Sequence, residues 1–130
     1  MEDNVISIEP KGQLKAMIRE GIPFNLRPHV WYILSGGYDL FSAAEDDYYK
    51  KVLEDHESGA MPSTSAEEIE RDVYRTYPEH PFLQTEEGIA SLRRVLLAFS
   101  IHDEQVGYCQ SLNFLVGFLL IVMEREEEEK

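Results

Sequence analysis

The stretch GYCQSLNFLVGFLLIVM, residues 107–123, changes from small and polar to almost wholly apolar within a few positions. Its apolar part, residues 112–123, has 12 residues, and a run of about 10–14 is typical of a buried helix, whereas a membrane span needs roughly 20. A helix that is apolar all round predicts a central position. Gln110 and Asn113 stand at its polar end, where a buried amide needs hydrogen-bond partners. We therefore expect a central helix that begins near Tyr108, with two amides of special interest.

Helical signals also dominate the rest of the chain, and no alternating pattern typical of a strand is visible. Pro28 suits the first turn of a helix to about Leu34, and Thr85 suits the cap of another in which apolar residues recur at helical spacing. Helices are predicted over residues 13–19, 28–34, 39–55 and 65–77, with a further helix after Thr85 and a loop over 56–67. Gly36 and Gly37 end the second helix. A Ser65–Glu68 capping box opens the helix over 65–77, which ends before Pro78. The predicted fold class is all-α, with many helices.

Composition and charge exclude several function classes. The chain has 130 residues and a net charge of −13, so we expect one domain whose acidic surface repels nucleic acid and anionic membranes. Its one cysteine, Cys109, excludes an internal disulfide and favours a reducing, cytoplasmic location. We interpret Cys109 as a buried structural thiol, and we predict no metal site because the four histidines lack ligand spacing. No signal peptide is expected at the N-terminus.

A second informative segment is EEIERDVYRTYP, residues 67–78. At about 100° per residue, Ile69, Val73 and Tyr77 share one helix face. Arg75 lies on the opposite side, and Asp72, three residues earlier, is close enough to pair with it. From these residues alone the simpler interpretation is a solvated arginine in a surface ion pair, which is common and weak.

Three motifs together change that interpretation. The segment IERDVYRTYP, residues 69–78, resembles the arginine motif of TBC domains, the Rab GTPase-activating family. The segment YCQSLN, residues 108–113, resembles that family's second motif, usually YCQGMN, with Ser111 in place of Gly and Leu112 in place of Met. The segment GIPFNLRPHVW, residues 21–31, resembles its opening motif. The three occur in the family's order, and the resemblance covers residues 17–128, nearly the whole chain.

The resemblance implies a GTPase-activating protein for a Rab-family small GTPase, a role in vesicle trafficking. Arg75 would be an arginine finger and Gln110 a glutamine finger, both supplied in trans. Such a protein is not an enzyme in its own right, because it completes the active site of another. It needs no cofactor, since GTP and Mg²⁺ belong to the partner Rab. A lipid-anchored Rab could also recruit it to a membrane.

The resemblance implies supporting roles for further residues. Asp72, Tyr108 and Ile69 would fix the two finger residues. For Asn113 we expect a structural role, through a hydrogen bond to backbone at the start of the last helix. Arg27 and Trp31 would hold the N-terminal helices against the core.

The family's domain continues for several helices beyond the glutamine motif. We therefore expect residues 1–16 to be a lead-in and residues 17–128 a partial, C-terminally truncated domain that exposes an apolar patch. This leaves an alternative function open: a catalytically idle helical module that binds a Rab or another protein. Ser111 adds a side chain beside Gln110, which also favours the idle module.

Overall fold

The computed structural model describes residues 11–128, with the side chains of residues 12–123, and residues 1–10 of the predicted lead-in lie outside this range. The described residues contain seven α-helices, two 3₁₀ turns and no strand, which confirms the all-α prediction. The helices are α1 Lys11–Glu20, α2 Arg27–Leu34, α3 Gly37–Ala43, α4 Tyr48–Ser58, α5 Ala66–Val73, α6 Glu86–His102 and α7 Leu112–Glu128, and the 3₁₀ turns are Phe24–Leu26 and Phe82–Gln84. The chain divides into two compact units between Asp39 and Leu40. The domain boundary predicted at residue 16 stays a prediction.

The first unit is built around the N-terminal end of α2. Pro28 occupies the first turn of this helix, as predicted, and is buried. The Arg27 Nε donates a hydrogen bond to the Ile22 carbonyl, 2.9 Å away, and its guanidinium lies over the Phe24 ring. Arg27 therefore joins α2 to the segment before it. Trp31 lies one turn further along the same helix, half-buried.

The second unit packs around α6, which contacts α4, α5, α7 and the 3₁₀ turn Phe82–Gln84. The Thr85 hydroxyl accepts a hydrogen bond from the Gly88 amide at 3.0 Å, so the predicted cap of α6 is confirmed. Its apolar face meets side chains of α5 and of the segment before α7. The buried cluster consists of Ile69, Val73, Leu92, Leu96, Leu97 and Tyr108. The central helix is thus α6, and the prediction that the last helix is central was wrong.

The prediction of a single helix over residues 39–55 was wrong. Gly36, at φ 83°, ends α2 as expected, but Gly37 begins α3, and the chain then breaks before α4. Asp47 lies in the break with φ 59°. Aspartate takes this left-handed conformation more readily than most residues, and its short polar side chain competes with the helical backbone. The loop is also shorter than predicted, because α4 runs to Ser58 and α5 begins at Ala66.

Helix α5 begins where predicted but ends four residues earlier, at Val73 instead of Tyr77. Ser65 occupies the N-cap position, yet its side chain makes no cap hydrogen bond, so the predicted capping box is absent. Two causes explain the early end. Pro78 disfavours a helical conformation at Tyr77, which has φ 48°, and the Thr76 hydroxyl donates to the Asp72 carbonyl at 2.8 Å.

Helix α7 begins at Leu112, four residues after the predicted start. Asn113 and Gly117 lie on the buried side of this helix. The opposite side of the helix is apolar and exposed, with Leu115 at 62% relative exposure. The exposed residues of this face are Phe114, Leu115, Phe118 and Leu119, hereafter the α7 face. Among the described helices none combines the length and apolar character that a membrane crossing requires.

Gly88 allows the first turn of α6 to lie directly against the 3₁₀ turn before it. A Cβ at this position would lie 1.9 Å from the Phe82 carbonyl oxygen, a backbone atom that cannot rotate away. We expect Gly88→Ala to lower the free energy of unfolding by about 1–3 kcal/mol, as overpacking does. The measurement is the urea midpoint.

Gly12→Ala is the matched control, because a Cβ there meets nothing within 4 Å. It should be neutral or stabilising by up to about 1 kcal/mol, since alanine is the better helix former. Equal midpoints for the two variants would contradict the close approach at Gly88.

Candidate functional site

Arg75 lies in the turn that follows α5, not on the helix itself. Its side chain is 64% exposed, so the predicted exposure is correct although the helix has already ended. Its Nε donates to Asp72 Oδ1 at 3.0 Å, and its Nη2 donates to the same oxygen. These bonds hold one edge of the guanidinium and leave its remaining N–H groups directed elsewhere.

Asp72 is the buried centre of the site, with 3% relative exposure. Oδ1 accepts from Arg75, and Oδ2 accepts from the Tyr108 hydroxyl. Burial by itself would raise the pKa of this carboxyl, but the hydrogen bonds from Tyr108 and Arg75 and the positive charge of Arg75 outweigh burial and hold the pKa below its ordinary value. Asp72 is therefore a fixed anion that joins the two candidate segments.

Tyr108 and Gln110 belong to the turn between Gly107 and α7. Tyr108 is buried, and burial together with the Asp72 carboxylate raises the pKa of its hydroxyl, so it stays protonated and donates. Gln110 is exposed, and its side-chain amide makes no hydrogen bond within the described part of the chain. It thus projects from a turn whose beginning is fixed in the core, and not from the helix as we predicted.

Asn113 has the backbone partner that the sequence predicted, and one more. Its Oδ1 accepts from the Ser111 amide at 3.2 Å, and its Nδ2 donates to the Thr76 hydroxyl at 2.9 Å. Sequence reasoning gave no role to Thr76, which is fully buried. A signal was available, because a threonine four residues after Asp72 is placed to bond its carbonyl.

Gly117 was also missed, although an isolated glycine inside a helix often has a packing reason. A Cβ there would lie 3.0 Å from Thr76 Cγ2 and 3.2 Å from Tyr77 Cδ2. The missing side chain therefore lets α7 lie close to the turn that carries Arg75.

A second set of contacts holds this turn from the other side. Arg93 on α6 pairs with Glu70 of α5 through two hydrogen bonds, at 2.7 and 2.9 Å, and donates a third to the Tyr74 hydroxyl. Tyr74 directly precedes Arg75. These exposed polar contacts add little stability, but they connect the residue before Arg75 to α6.

The other predicted residues lie in different places. Ile69 is fully buried in the core below the site, whereas Arg27 and Trp31 lie in the first unit. Cys109 is exposed, so its interpretation as a buried thiol was wrong. Among the described residues, no group of three or more His, Cys, Asp or Glu side chains is placed to hold a metal ion.

The arrangement offers a guanidinium and a carboxamide, each exposed in a turn with buried support. A planar guanidinium binds phosphate oxygens by two-point contact, and a carboxamide can both accept from and donate to a water molecule. Neither group is nucleophilic, so the chemistry that these residues support is stabilisation of charge and orientation of water.

The stability lost when the Asp72 charge is removed should depend on pH in a defined way. At about pH 7 we expect Asp72→Asn to lose roughly 1–3 kcal/mol, the value of hydrogen bonds to a charged group. The pKa of Asp72 in the folded protein lies below the ordinary 3.8. The extra free energy of unfolding of the wild type over Asp72→Asn is therefore complete above pH 3.8. It is lost as pH falls through the lowered pKa of the folded protein.

The measurement is the urea midpoint of both proteins from about pH 7 down to about pH 3. The difference between the two curves should narrow as the pH falls below 3.8. Asp46→Asn, an exposed carboxylate without a hydrogen bond in the described residues, is the control and should parallel the wild type. A difference that is constant across the range would contradict the fixed-anion role of Asp72.

Comparison with known proteins agrees with this architecture. Residues 24–129 match the family model described as the Rab-GTPase-TBC domain. The chain is 41% identical over 122 residues to the GTPase-activating protein MSB4 of Saccharomyces cerevisiae, which covers 88% of this chain and 25% of the yeast protein. It superimposes on the crystal structure of the Chlamydomonas flagellar RabGAP TBC domain with a TM-score of 0.83 and 38% identity, over 97% of this chain and 42% of that one. The chain spans a quarter of the yeast relative, and it belongs to the Rab-GTPase-TBC domain family.

Proposed function

We propose that this chain is part of a GTPase-activating protein for a Rab-family GTPase, to which it supplies Arg75 and Gln110 in trans. The single observation that carries the proposal is that Arg75 and Tyr108 donate to opposite oxygens of one buried carboxylate, Asp72. The turn with the exposed arginine and the turn with the exposed glutamine are thereby held by the same group. Family membership supports a Rab as the partner.

The chemistry of GTP hydrolysis explains why these two side chains are suited to it. Negative charge spreads over the transferred phosphoryl group, and the attacking water must be oriented. An arginine neutralises this charge, and a glutamine amide can position the water. GTP and Mg²⁺ would come with the partner, so the chain needs no cofactor for this role. Arg75 would exchange solvent for phosphate oxygens while Asp72 keeps one edge of its guanidinium in place.

Single-turnover GTP hydrolysis over a panel of Rab proteins tests the proposal. The chain should accelerate hydrolysis by at least one Rab. Arg75→Ala should lower the stimulated rate by about 10³-fold or more, within the range known for arginine fingers. Arg75→Lys should recover little, because lysine keeps the charge without the planar pair of donors. Gln110→Ala should also abolish most of the stimulation.

Two exposed residues outside the site serve as matched controls. Arg94→Ala on α6 and Gln13→Ala on α1 remove the same side-chain types and should leave the stimulated rate unchanged. If every Rab hydrolyses GTP at its intrinsic rate in the presence of the folded chain, the proposal fails. If Gln110→Ala keeps full stimulation, the glutamine must come from the GTPase instead.

A second candidate function is a helical interaction module without catalytic activity. The α7 face favours it, because four large apolar side chains in one exposed patch are typical of a protein-binding surface. Ser111 beside Gln110 points in the same direction.

This alternative predicts binding without stimulation. Leu115→Ser and Leu119→Ser together should abolish binding of the Rab panel in a pull-down while the melting temperature stays within a few degrees of wild type, since both side chains are exposed. Leu40→Ser, an exposed leucine on α3, is the control. Binding that survives the double substitution would place the binding surface elsewhere.

A further inference from the structure

Two of the three non-glycine residues with positive φ in the described chain flank the site. Tyr77, at 48°, follows the turn that carries Arg75, and Ser111, at 94°, directly follows Gln110. Side chains disfavour this backbone region, and it persists only where the surroundings determine it. Something near these two turns must therefore hold both backbones in place.

For Ser111, the contacts that meet this requirement are those of Asn113 and, through it, of Thr76. Both side chains are buried, and they bond each other at 2.9 Å between α5's C-terminal turn and α7. Asn113 Oδ1 accepts from the amide of Ser111, the residue with strained backbone. Thr76 Oγ1 donates to the Asp72 carbonyl. The pair thus runs from the backbone beside Gln110 to the backbone below Arg75.

The donor and acceptor of each hydrogen bond in this bridge are determined. The Thr76 hydroxyl has one proton, and the Asp72 carbonyl can only accept it. Thr76 must then accept from Asn113, so the amide nitrogen faces Thr76 and the amide oxygen faces the Ser111 N–H. A flipped Asn113 would set its NH₂ against that N–H. The bridge therefore has a single hydrogen-bonded arrangement, and it fixes one position of the Ser111 amide.

Both ends of the Gln110 turn lead back to the same residue. Tyr108, two residues before Gln110, donates to the Asp72 carboxylate, and Asn113, three residues after it, reaches the Asp72 carbonyl through Thr76. We infer that Thr76 and Asn113 are positioning residues, whose bridge fixes Gln110 relative to Arg75 through the backbone of Ser111. The inference rests on the proposed function for its catalytic consequence, but the bridge itself is testable in the chain alone.

A purely structural role for Thr76 is the competing explanation, because its methyl group packs against Gly117. Two substitutions separate the roles. Thr76→Val keeps the methyl and removes the hydroxyl, whereas Thr76→Ser keeps the hydroxyl and removes the methyl. Packing and positioning thus predict opposite orders for the two variants. Thr64→Val, at an exposed loop position, is the matched control.

The experiment measures two quantities for each folded variant. The first is kcat and KM for stimulated GTP hydrolysis with the most responsive Rab of the panel. The second is amide hydrogen exchange at Ser111 in the chain alone. We expect Thr76→Val to lower kcat roughly ten- to a hundredfold with KM nearly unchanged, the size of effect that a misplacement of about 1 Å produces. Exchange at Ser111 should accelerate in the same variant, and Thr76→Ser should be near wild type in both.

The outcomes separate this inference from the proposed function. If Thr76→Val keeps wild-type kcat and wild-type exchange at Ser111, the positioning role is wrong and the proposed function stands. If Thr76→Ser loses as much as Thr76→Val, packing and not the bridge is responsible. If the wild-type chain stimulates no Rab, the proposed function fails, and faster exchange at Ser111 in Thr76→Val alone decides whether the bridge holds the Gln110 turn.

Discussion

The buried carboxylate of Asp72 is the constraint on which the rest of the site depends. A carboxylate removed from water is stable only with strong donors on its oxygens, and Tyr108 and Arg75 supply them. Because Tyr108 lies 36 residues after Asp72 in the sequence, satisfying the charge also brings the two segments together. The Asp72 backbone carbonyl repeats the connection through Thr76 and Asn113. One residue thus fixes the Gln110 turn at both ends.

The polar groups divide by exposure in a consistent way. The supporting groups Asp72, Thr76 and Asn113 are buried with their hydrogen bonds made inside the protein, whereas Arg75 and Gln110 are exposed. Burial strengthens the supporting bonds, because water does not compete for the same donors. Exposure leaves Arg75 and Gln110 accessible to the surface of a partner protein. A side chain presented in trans needs both properties, since it must be accessible and held in place before its partner binds.

Much of the fold was accessible from local sequence signals. The all-α class, the first-turn position of Pro28 in α2 and the Thr85 cap depend on residues close in sequence, and each was predicted correctly. The i, i+3 spacing also predicted the pairing of Asp72 with Arg75. Local patterns failed at two helix ends. Periodicity extended α5 through Arg75 and began α7 at Tyr108, because it does not record the hydrogen bonds that side chains make to the backbone at these ends.

The two wrong helix ends have a common physical meaning. At each, a side chain takes the place of a helical backbone bond: the Thr76 hydroxyl donates to a carbonyl at the end of α5, and the Asn113 amide oxygen accepts from the Ser111 N–H at the start of α7. Helix ends leave backbone groups without intrahelical partners, and here those groups are satisfied by the same two side chains that bond each other. Arg75 and Gln110 are therefore presented from turns and not from the helices themselves. Thr76 and Asn113, which bond the backbone at the two helix ends, therefore also determine where Arg75 and Gln110 lie.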